Sequence, residues 1–159
     1  MNPARVVRLV TRPRSITTRV TRAHAAVLRA SRGRIRSSRL LAGGQPVLSL
    51  TTTGRRSGQR RSAVVAYLRD GDSYAVFAMN LGNERDPAWS INLEALPAAE
   101  ICVGGADIQV AARRASGDER ERLWAAYRDR LPAAEGFRAI AGRDIPVWVL
   151  EPRGRAAGG

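Results

Sequence analysis

The sequence predicts an α+β domain in which an antiparallel sheet or barrel carries helices inserted late in the chain. About six apolar stretches are separated by turn residues, which is typical of short strands joined in hairpins. The helical patterns do not alternate regularly with the strands, which argues against βαβ units and a parallel sheet. No G-x-G-x-x-G sequence lies between a strand and a helix, so a dinucleotide site of the Rossmann type is not supported.

The first two strands are predicted at about Val47–Thr53 and Arg61–Arg69, joined by a tight turn with two glycines. Four arginines crowd this turn together with hydroxyl-bearing residues. Glycine lets a backbone bend and approach a ligand closely, and guanidinium groups, hydroxyls and free amides bind phosphate. Taken alone, a solvated hairpin tip with scattered charge explains the same residues.

A helix is predicted to start at Asp86-Pro87, because the aspartate can cap free amides and the proline suits the first helical position. Trp89, Leu93 and Leu96 share one face of this helix, at i, i+4 and i+7. Trp89 is therefore expected to help anchor a core. Asn92 lies on the same face, where a polar group needs a hydrogen-bond partner.

The other elements follow from similar signals. In the helix after residue 119, Leu123 and Tyr127 are expected to be buried, together with Trp124 or Leu131. The remaining predictions are a third strand at Ser73–Met79 after the hairpin turn Asp70-Gly71, a strand pair at 100–103 and 107–115, a helix opened by the capping box 116–119, a short helix or loop at 133–142, and a last strand at 145–150.

Charge is distributed unevenly along the 159 residues, whose length favours a single domain. The net charge is +13, no lysine is present, and no acidic residue precedes Asp70. The basic half is expected to face an anion: nucleic acid, lipid head groups or a phosphorylated cofactor. With one cysteine (Cys102) and one histidine (His24), the composition supports neither an internal disulfide nor a metal site or histidine-based triad. No membrane span or signal peptide is indicated.

Three regions are predicted: a basic N-terminal segment at 1–42, a barrel domain at 43–152 and a loose tail at 153–159. Helical spacing from Val20 to Ala30 favours a helix within the first region. A basic amphipathic helix can lie on an anionic membrane surface. It can equally pack on the barrel and expose its arginines to water.

Several separate blocks carry a family resemblance. They are Leu50–Arg61, Leu68–Asp72, Asp86–Trp89 with Asn92-Leu93, and Arg143–Val147 with Leu150-Glu151-Pro152. In this order and spacing, over roughly residues 40 to 152, they resemble the deazaflavin-dependent nitroreductase family, actinobacterial oxidoreductases that use coenzyme F420. The resemblance implies a split β-barrel of the flavin-reductase or FMN-binding type, with inserted helices and the basic N-terminal helical segment.

The resemblance also implies a cofactor site. The phosphate and oligoglutamate tail of F420 would be bound by Arg55, Arg56, Ser57 and Arg61. The ring would lie along the second strand, beside the end of the third strand, and the predicted helix would close the pocket. The residues implied are Ser62, Ala63, Val64, Val65 and Ala66 on the second strand, Phe77, Ala78, Met79 and Asn80 at the end of the third, and Ala88, Trp89, Ser90, Ile91 and Asn92 on the helix.

The family's reduced cofactor donates hydride, so the implied substrate is an electrophilic acceptor of quinone, enone or nitroaromatic type. Tyrosines common in nitro-reducing relatives are replaced here by Ala66, Ser90, Ala134 and Phe137. This implies a larger, more apolar pocket that suits a quinone or enone. Tyr67 and Ser90 are weak candidates for a proton donor, but solvent could donate equally well, and no catalytic residue is assigned.

Rival interpretations are a nucleic-acid-binding protein, a non-catalytic F420-binding protein on the same scaffold, and a split-barrel enzyme that uses flavin mononucleotide (FMN). Aromatic residues make up only 5% of the chain, which leaves few stacking platforms for single strands. The expected partners are F420 and a small apolar electron acceptor, with a homodimer and an anionic membrane surface as further options. The expected location is the cytoplasm, with the inner face of the cell membrane as the alternative.

Overall fold

In the computed structural model, residues 44–154 are described. The predictions for the basic segment at 1–42 and for the last residues of the tail lie outside these described residues.

Six antiparallel strands form a closed barrel in the order β1-β2-β3-β6-β5-β4. Short turns join the pairs β1–β2, β2–β3 and β4–β5. The strand β6 pairs with β5, from which residues 115–146 separate it in sequence, and the pairings of β1 with β4 and of β3 with β6 close the barrel. The predicted antiparallel barrel is therefore confirmed. The strands are β1 Val47–Thr53, β2 Arg60–Asp70, β3 Ser73–Phe77, β4 Ala98–Val103, β5 Ala106–Arg114 and β6 Val147–Pro152.

Three α-helices interrupt the strands: α1 Ala88–Ala95, α2 Gly117–Arg130 and α3 Ala133–Ala141. A single 3-10 turn, Asn80–Gly82, lies between β3 and α1. Between residues 44 and 154, none of the helices has the length and apolar character needed to cross a membrane.

The barrel interior is filled by strand residues and by one face of α1. Leu48, Leu50 and Val76 belong to this inner core, where α1 adds Trp89 and Leu93. The predicted helix face is thus confirmed for those two residues. It is wrong for Leu96, which is 46% exposed and stands in extended conformation where the helix ends. Proline at the next position disfavours a helical conformation of the residue before it.

A second core lies on the outer face of the barrel, under α2 and α3. Leu123, Trp124 and Tyr127 from α2 are buried there. The Tyr127 ring stacks on Phe77 with 4.0 Å between ring centroids. The burial predicted for this helix is confirmed, and between the two alternatives the structure buries Trp124 fully and Leu131 only in part.

Two predicted helix caps are wrong, and the carboxylates predicted to take part in them form ion pairs with arginines. Ser116 is the N-cap of α2 but makes no capping hydrogen bond. The Glu119 carboxylate instead accepts two bonds from Arg113, at 2.7 and 2.8 Å. Helix α1 begins at Ala88 without a side-chain cap, and Asp86 pairs with Arg143. Charge-assisted bidentate bonds are stronger than a bond to a neutral backbone amide.

Acidification is expected to lower the free energy of unfolding through an ion-pair network on the outer surface. Arg122 binds both oxygens of Asp70 at 2.9 Å, and Arg113 binds Glu119. These hydrogen bonds lower the pKa of Asp70 and of Glu119 from their ordinary values of 3.8 and 4.5. A carboxylate with a lowered folded pKa stabilises the fold above its unfolded value, and this stability is lost as the pH falls through the folded value.

Urea unfolding between pH 7 and pH 3 measures this effect. The free energy of unfolding should fall progressively below the ordinary carboxyl range. The Arg113→Gln variant should show a shallower fall, because Glu119 loses its partner. Parallel pH profiles in the two proteins would contradict the assignment.

Candidate functional site

The turn between β1 and β2 is held by its own backbone. The Gly54 amide donates to the Gln59 carbonyl and the Gly58 amide to the Gly54 carbonyl, both at 2.8 Å. Gly58 has a positive φ of 64°. A Cβ on Gly54 would lie 2.7 Å from the Ser57 hydroxyl oxygen. Both positions therefore need glycine, as the sequence indicated.

Among the residues that the structure describes, a carboxylate compensates the charge of one of the four arginines of this turn. Arg60 forms an ion pair with Glu100 at 2.8 Å. The guanidinium of Arg61 donates to the neutral Gln59 side chain at 3.0 Å. Arg55 and Arg56 are exposed, and neither has a carboxylate partner among residues 44–154. We refer to Arg55, Arg56 and Arg61 as the open arginines, and they form a site to which an anion can bind without displacing a protein carboxylate.

Asn92 connects this turn to α1. Its side-chain amide donates to the Thr52 hydroxyl at 3.0 Å, and its side-chain carbonyl accepts the backbone N–H of Arg55 at 3.1 Å. The residue is 6% exposed. The buried amide thus has the partners that the sequence required, and it orients the backbone of an open arginine.

Residues of β2 that were expected along one cofactor ring divide between the two faces of the barrel. Ala63, Val65 and Tyr67 pack on the inner core. Val64 and Ala66 lie on the outer face, because successive strand side chains point in opposite directions. Side chains from only one of these faces can contact a single planar ligand.

The other residues predicted to contact the cofactor differ in burial. Phe77, Ala78 and Trp89 are at most 7% exposed, while Met79 and Ile91 are half-buried. The exposed members are Ser57, Asn80 and Ala88, and the half-buried ones include Ser62, whose hydroxyl lies 2.8 Å from that of Thr51.

The two candidate proton donors both belong to the barrel packing. Ser90 is 0% exposed, and its hydroxyl accepts the indole N–H of Trp148 at 2.9 Å. The Tyr67 ring packs edge-on against Tyr74, with 5.4 Å between centroids. Ala134, which was expected in the acceptor wall, is fully buried in the outer core. These contacts argue against direct roles for these three residues in the reaction.

A strained turn follows β3. Asn80 and Leu81 have positive φ angles of 47° and 54°, which is uncommon for residues other than glycine. Gly82 packs closely on α3, since a Cβ there would lie 3.2 Å from a methyl carbon of Ile140. The Arg143 guanidinium donates to backbone carbonyls on both sides of this turn. The sequence predicted only a loop here and no role for Arg143, although Asp86 and Arg143 each belong to one of the blocks that carry the family resemblance.

Two surface depressions lie near these elements. One of about 560 Å³ is bordered by α3 and by Gly142, Arg143 and Asp144. The other, of about 140 Å³, lies beside the arginine turn between β1 and β4 and includes Arg60 and Glu100. Neither is lined by the predicted ring residues. Among residues 44–154 no group of three or more metal-ligating side chains is found.

Comparison with known proteins connects this geometry to one family. The family model described as F420H(2)-dependent quinone reductase matches residues 20–152. An F420H(2)-dependent quinone reductase of Mycobacterium tuberculosis strain H37Rv is 34% identical over 143 residues, which cover 88% of this chain and 95% of that protein.

Solved structures are also similar to this chain. The structure of an F420-H2 dependent reductase, FDR-A, matches with a TM-score of 0.61 and 29% identity, over 67% of this chain and 94% of that chain. A structure described as a domain-swapped dimer matches with a TM-score of 0.62 and 29% identity, over 67% of this chain and 80% of that one. A heme binding protein from Mycobacterium smegmatis matches at 24% identity with a TM-score of 0.54, which indicates the shared fold alone.

Proposed function

Since the chain belongs to the F420H(2)-dependent quinone reductase family, we propose that it transfers a hydride from reduced coenzyme F420 to a quinone-type acceptor. It is an oxidoreductase with F420 as its cofactor. The observation that supports the proposal most directly is the group of open arginines, which suits the anionic end of that cofactor.

Arg55, Arg56 and Arg61 would bind the phosphodiester and oligoglutamate groups, and the Ser57 hydroxyl is exposed beside them. Each well-formed charge-assisted bond contributes about 1.5–3 kcal/mol. Micromolar affinity requires about 8 kcal/mol in total. Two or three such bonds, together with burial of an apolar ring, are sufficient.

For the ring we propose the outer face of β2. Ser62, Val64 and Ala66 point to this face, are small and are half-buried. Met79 and Asn80 follow the end of the neighbouring strand β3. The bound reduced cofactor supplies the hydride, while the protein groups orient the reactants and exclude water.

An apolar acceptor is supported by two exposed aliphatic side chains next to that region. Leu81 is 42% exposed and directly follows Asn80, and Ile140 of α3 is 54% exposed. Gly82 packs against Ile140, so the turn and the helix lie side by side. Phe137, one turn before Ile140, is half-buried. These residues favour a quinone over a polar nitroaromatic compound.

Two features of the chain bear on its partners. Most arginines between residues 44 and 154 pair with carboxylates, so this region lacks the extended basic surface of a nucleic-acid-binding protein. The similar domain-swapped dimer supports a homodimer. Association of the basic N-terminal segment with an anionic membrane stays a prediction.

Anaerobic binding and turnover measurements test the proposal. F420 should bind with micromolar affinity or better and more tightly than FMN, and reduced F420 should be oxidised when a soluble benzoquinone or naphthoquinone is added. A nitroimidazole serves as the comparison acceptor and should react more slowly. Preference for FMN would contradict the cofactor assignment, and F420 binding without quinone reduction would favour a non-catalytic binding protein.

A further inference from the structure

We infer that Arg143 is a positioning residue for the cofactor site, acting through the strained turn that connects β3 to α1. The inference rests on the proposed function, because it concerns the same cofactor. Arg143 lies outside that site in sequence, just before β6, and is expected to touch neither cofactor nor acceptor.

Apart from a bond to the neighbouring Asp144 carbonyl at 3.2 Å, the hydrogen bonds of Arg143 converge on one segment. Its guanidinium donates to the carbonyl of Ala78 at 2.8 Å and to that of Asn83 at 3.0 Å. It also pairs with the Asp86 carboxylate and donates to the Arg85 carbonyl at 3.3 Å. The side chain is only 16% exposed. One cation therefore joins the two ends of the segment from residue 78 to residue 86.

This segment has little apolar packing that could hold its shape. Asn80, Leu81, Glu84 and Arg85 are exposed. Left-handed backbone at a non-glycine residue is energetically unfavourable and persists only where surrounding structure imposes it. Local bonds within the segment include those from the Asn80 side-chain amide to the Arg85 carbonyl at 2.8 Å and from the Arg85 amide to the Asn83 side chain at 3.1 Å. The segment is linked to the rest of the fold by the guanidinium, by the bond from the Ala78 amide to the Pro146 carbonyl at 2.9 Å and by the packing of Gly82 on α3.

The segment connects two parts of the proposed site. Its beginning, Ala78 to Asn80, follows the strand expected to border the ring. Its end leads into α1, where Asn92 binds the backbone of the open arginine Arg55. A shift of the segment would therefore displace the ring-side and the phosphate-side residues together.

Arginine suits this position better than lysine. A planar fork of N–H donors can reach several carbonyls and a carboxylate in fixed directions, whereas an ammonium group is a compact point charge. Glutamine keeps a polar side chain but loses the charge and most of the donors. Arg143→Lys should therefore disturb the segment less than Arg143→Gln.

The test measures F420 binding by fluorescence titration and hydrogen exchange in the segment, at a temperature where each variant is folded. We expect Arg143→Gln to raise the Kd for F420 at least tenfold and to speed exchange in residues 78–86, with an intermediate effect for Arg143→Lys. The control is Arg138→Gln on α3. The Arg138 guanidinium lies 5.2 Å from the centre of the Trp124 ring and so contacts α2 instead of the segment 78–86. Its Kd should stay within about twofold of the native value, the size expected for a surface substitution.

Gly82→Ala provides a second route to the same turn. Gly82 has a φ of 77°, and its Cβ would crowd Ile140, so this variant should also weaken F420 binding. If both act through the turn, the effects of Gly82→Ala and Arg143→Lys on the Kd should be less than additive. Additive effects would overturn the inference.

The outcomes separate the inference from the function on which it rests. Native protein that fails to bind F420 overturns the proposed function. Native protein that binds, together with folded Arg143 and Gly82 variants whose Kd is unchanged, overturns only the positioning role. A purely structural role would lower the melting temperature and speed exchange in residues 78–86, but it would leave the Kd unchanged in the folded protein.

Discussion

Replacing Arg55 and Arg56 together by alanine is expected to raise the Kd for F420 by about 100-fold. The two arginines are exposed and have no carboxylate partner among residues 44–154, so their charge is available to the anionic end of the cofactor. Two charge-assisted bonds contribute about 3–6 kcal/mol when fully formed. Solvent screening at an exposed turn reduces this to about 3 kcal/mol, which corresponds to roughly that loss of affinity.

Arg60→Ala is the matched control for this double variant. Arg60 lies on the same turn but is neutralised by Glu100. Its loss should change the Kd for F420 by less than about threefold, since exposed ion pairs contribute little. Titrations at low and high ionic strength should also show weaker binding at high salt for the native protein and a smaller salt effect for the double variant. Equal weakening by Arg60→Ala would indicate a general charge effect instead of a defined site.

Replacing Trp89 by alanine is expected to lower the free energy of unfolding by about 3–5 kcal/mol, the usual cost of removing a large buried aromatic side chain. Trp89 is 7% exposed and belongs to the inner core together with Leu93. The cavity would open where α1 packs into the barrel. Urea unfolding monitored by far-ultraviolet circular dichroism measures the change.

Two companion variants make this result specific. Trp89→Phe should recover most of the stability, because it keeps an aromatic ring in the core. Ile91→Ala, on the same helix but half-buried, should cost markedly less. If Trp89→Ala unfolds like the native protein but fails to bind F420, Trp89 belongs to the ligand wall and not to the core.

Local signals explain why much of the barrel could be predicted. The first strand, Val47–Thr53, is observed at the predicted residues, and the Asp70-Gly71 turn joins β2 and β3 as expected. Hairpin turns and period-2 alternation depend on residues close together in the chain. The need for glycine at both positions of the arginine turn is also local, because it arises from a positive φ at Gly58 and from the nearby Ser57 side chain at Gly54.

The residues at which strands end were less predictable than the existence of the strands. The third strand ends at Phe77 and not at Met79, since the next backbone amide, that of Ala78, bonds to the Pro146 carbonyl from a distant loop. The last strand continues to Pro152, where Val110 of β5 pairs with it. In both cases a partner far away in sequence decides where the strand stops.

The candidate site also combines features that local sequence predicts with features that depend on distant residues. The residue types of the open arginines and the position of their turn follow from the sequence. Which arginine is compensated does not, because Glu100 reaches Arg60 from β4, the strand on the other side of β1. The roles of Ser90 and Asn92 also depend on partners from other elements, Trp148 and Thr52.

The barrel class, the basic turn and the family could all be inferred from the sequence alone, because periodicity, turn chemistry and the order of short motifs are local properties. The position of each β2 residue relative to the two cores could be assigned only from the three-dimensional structure. Tertiary structure also decided which charges remain open and that Arg143 holds the strained turn. Those features depend on distances between side chains far apart in the chain, and barrel closure brings these side chains together.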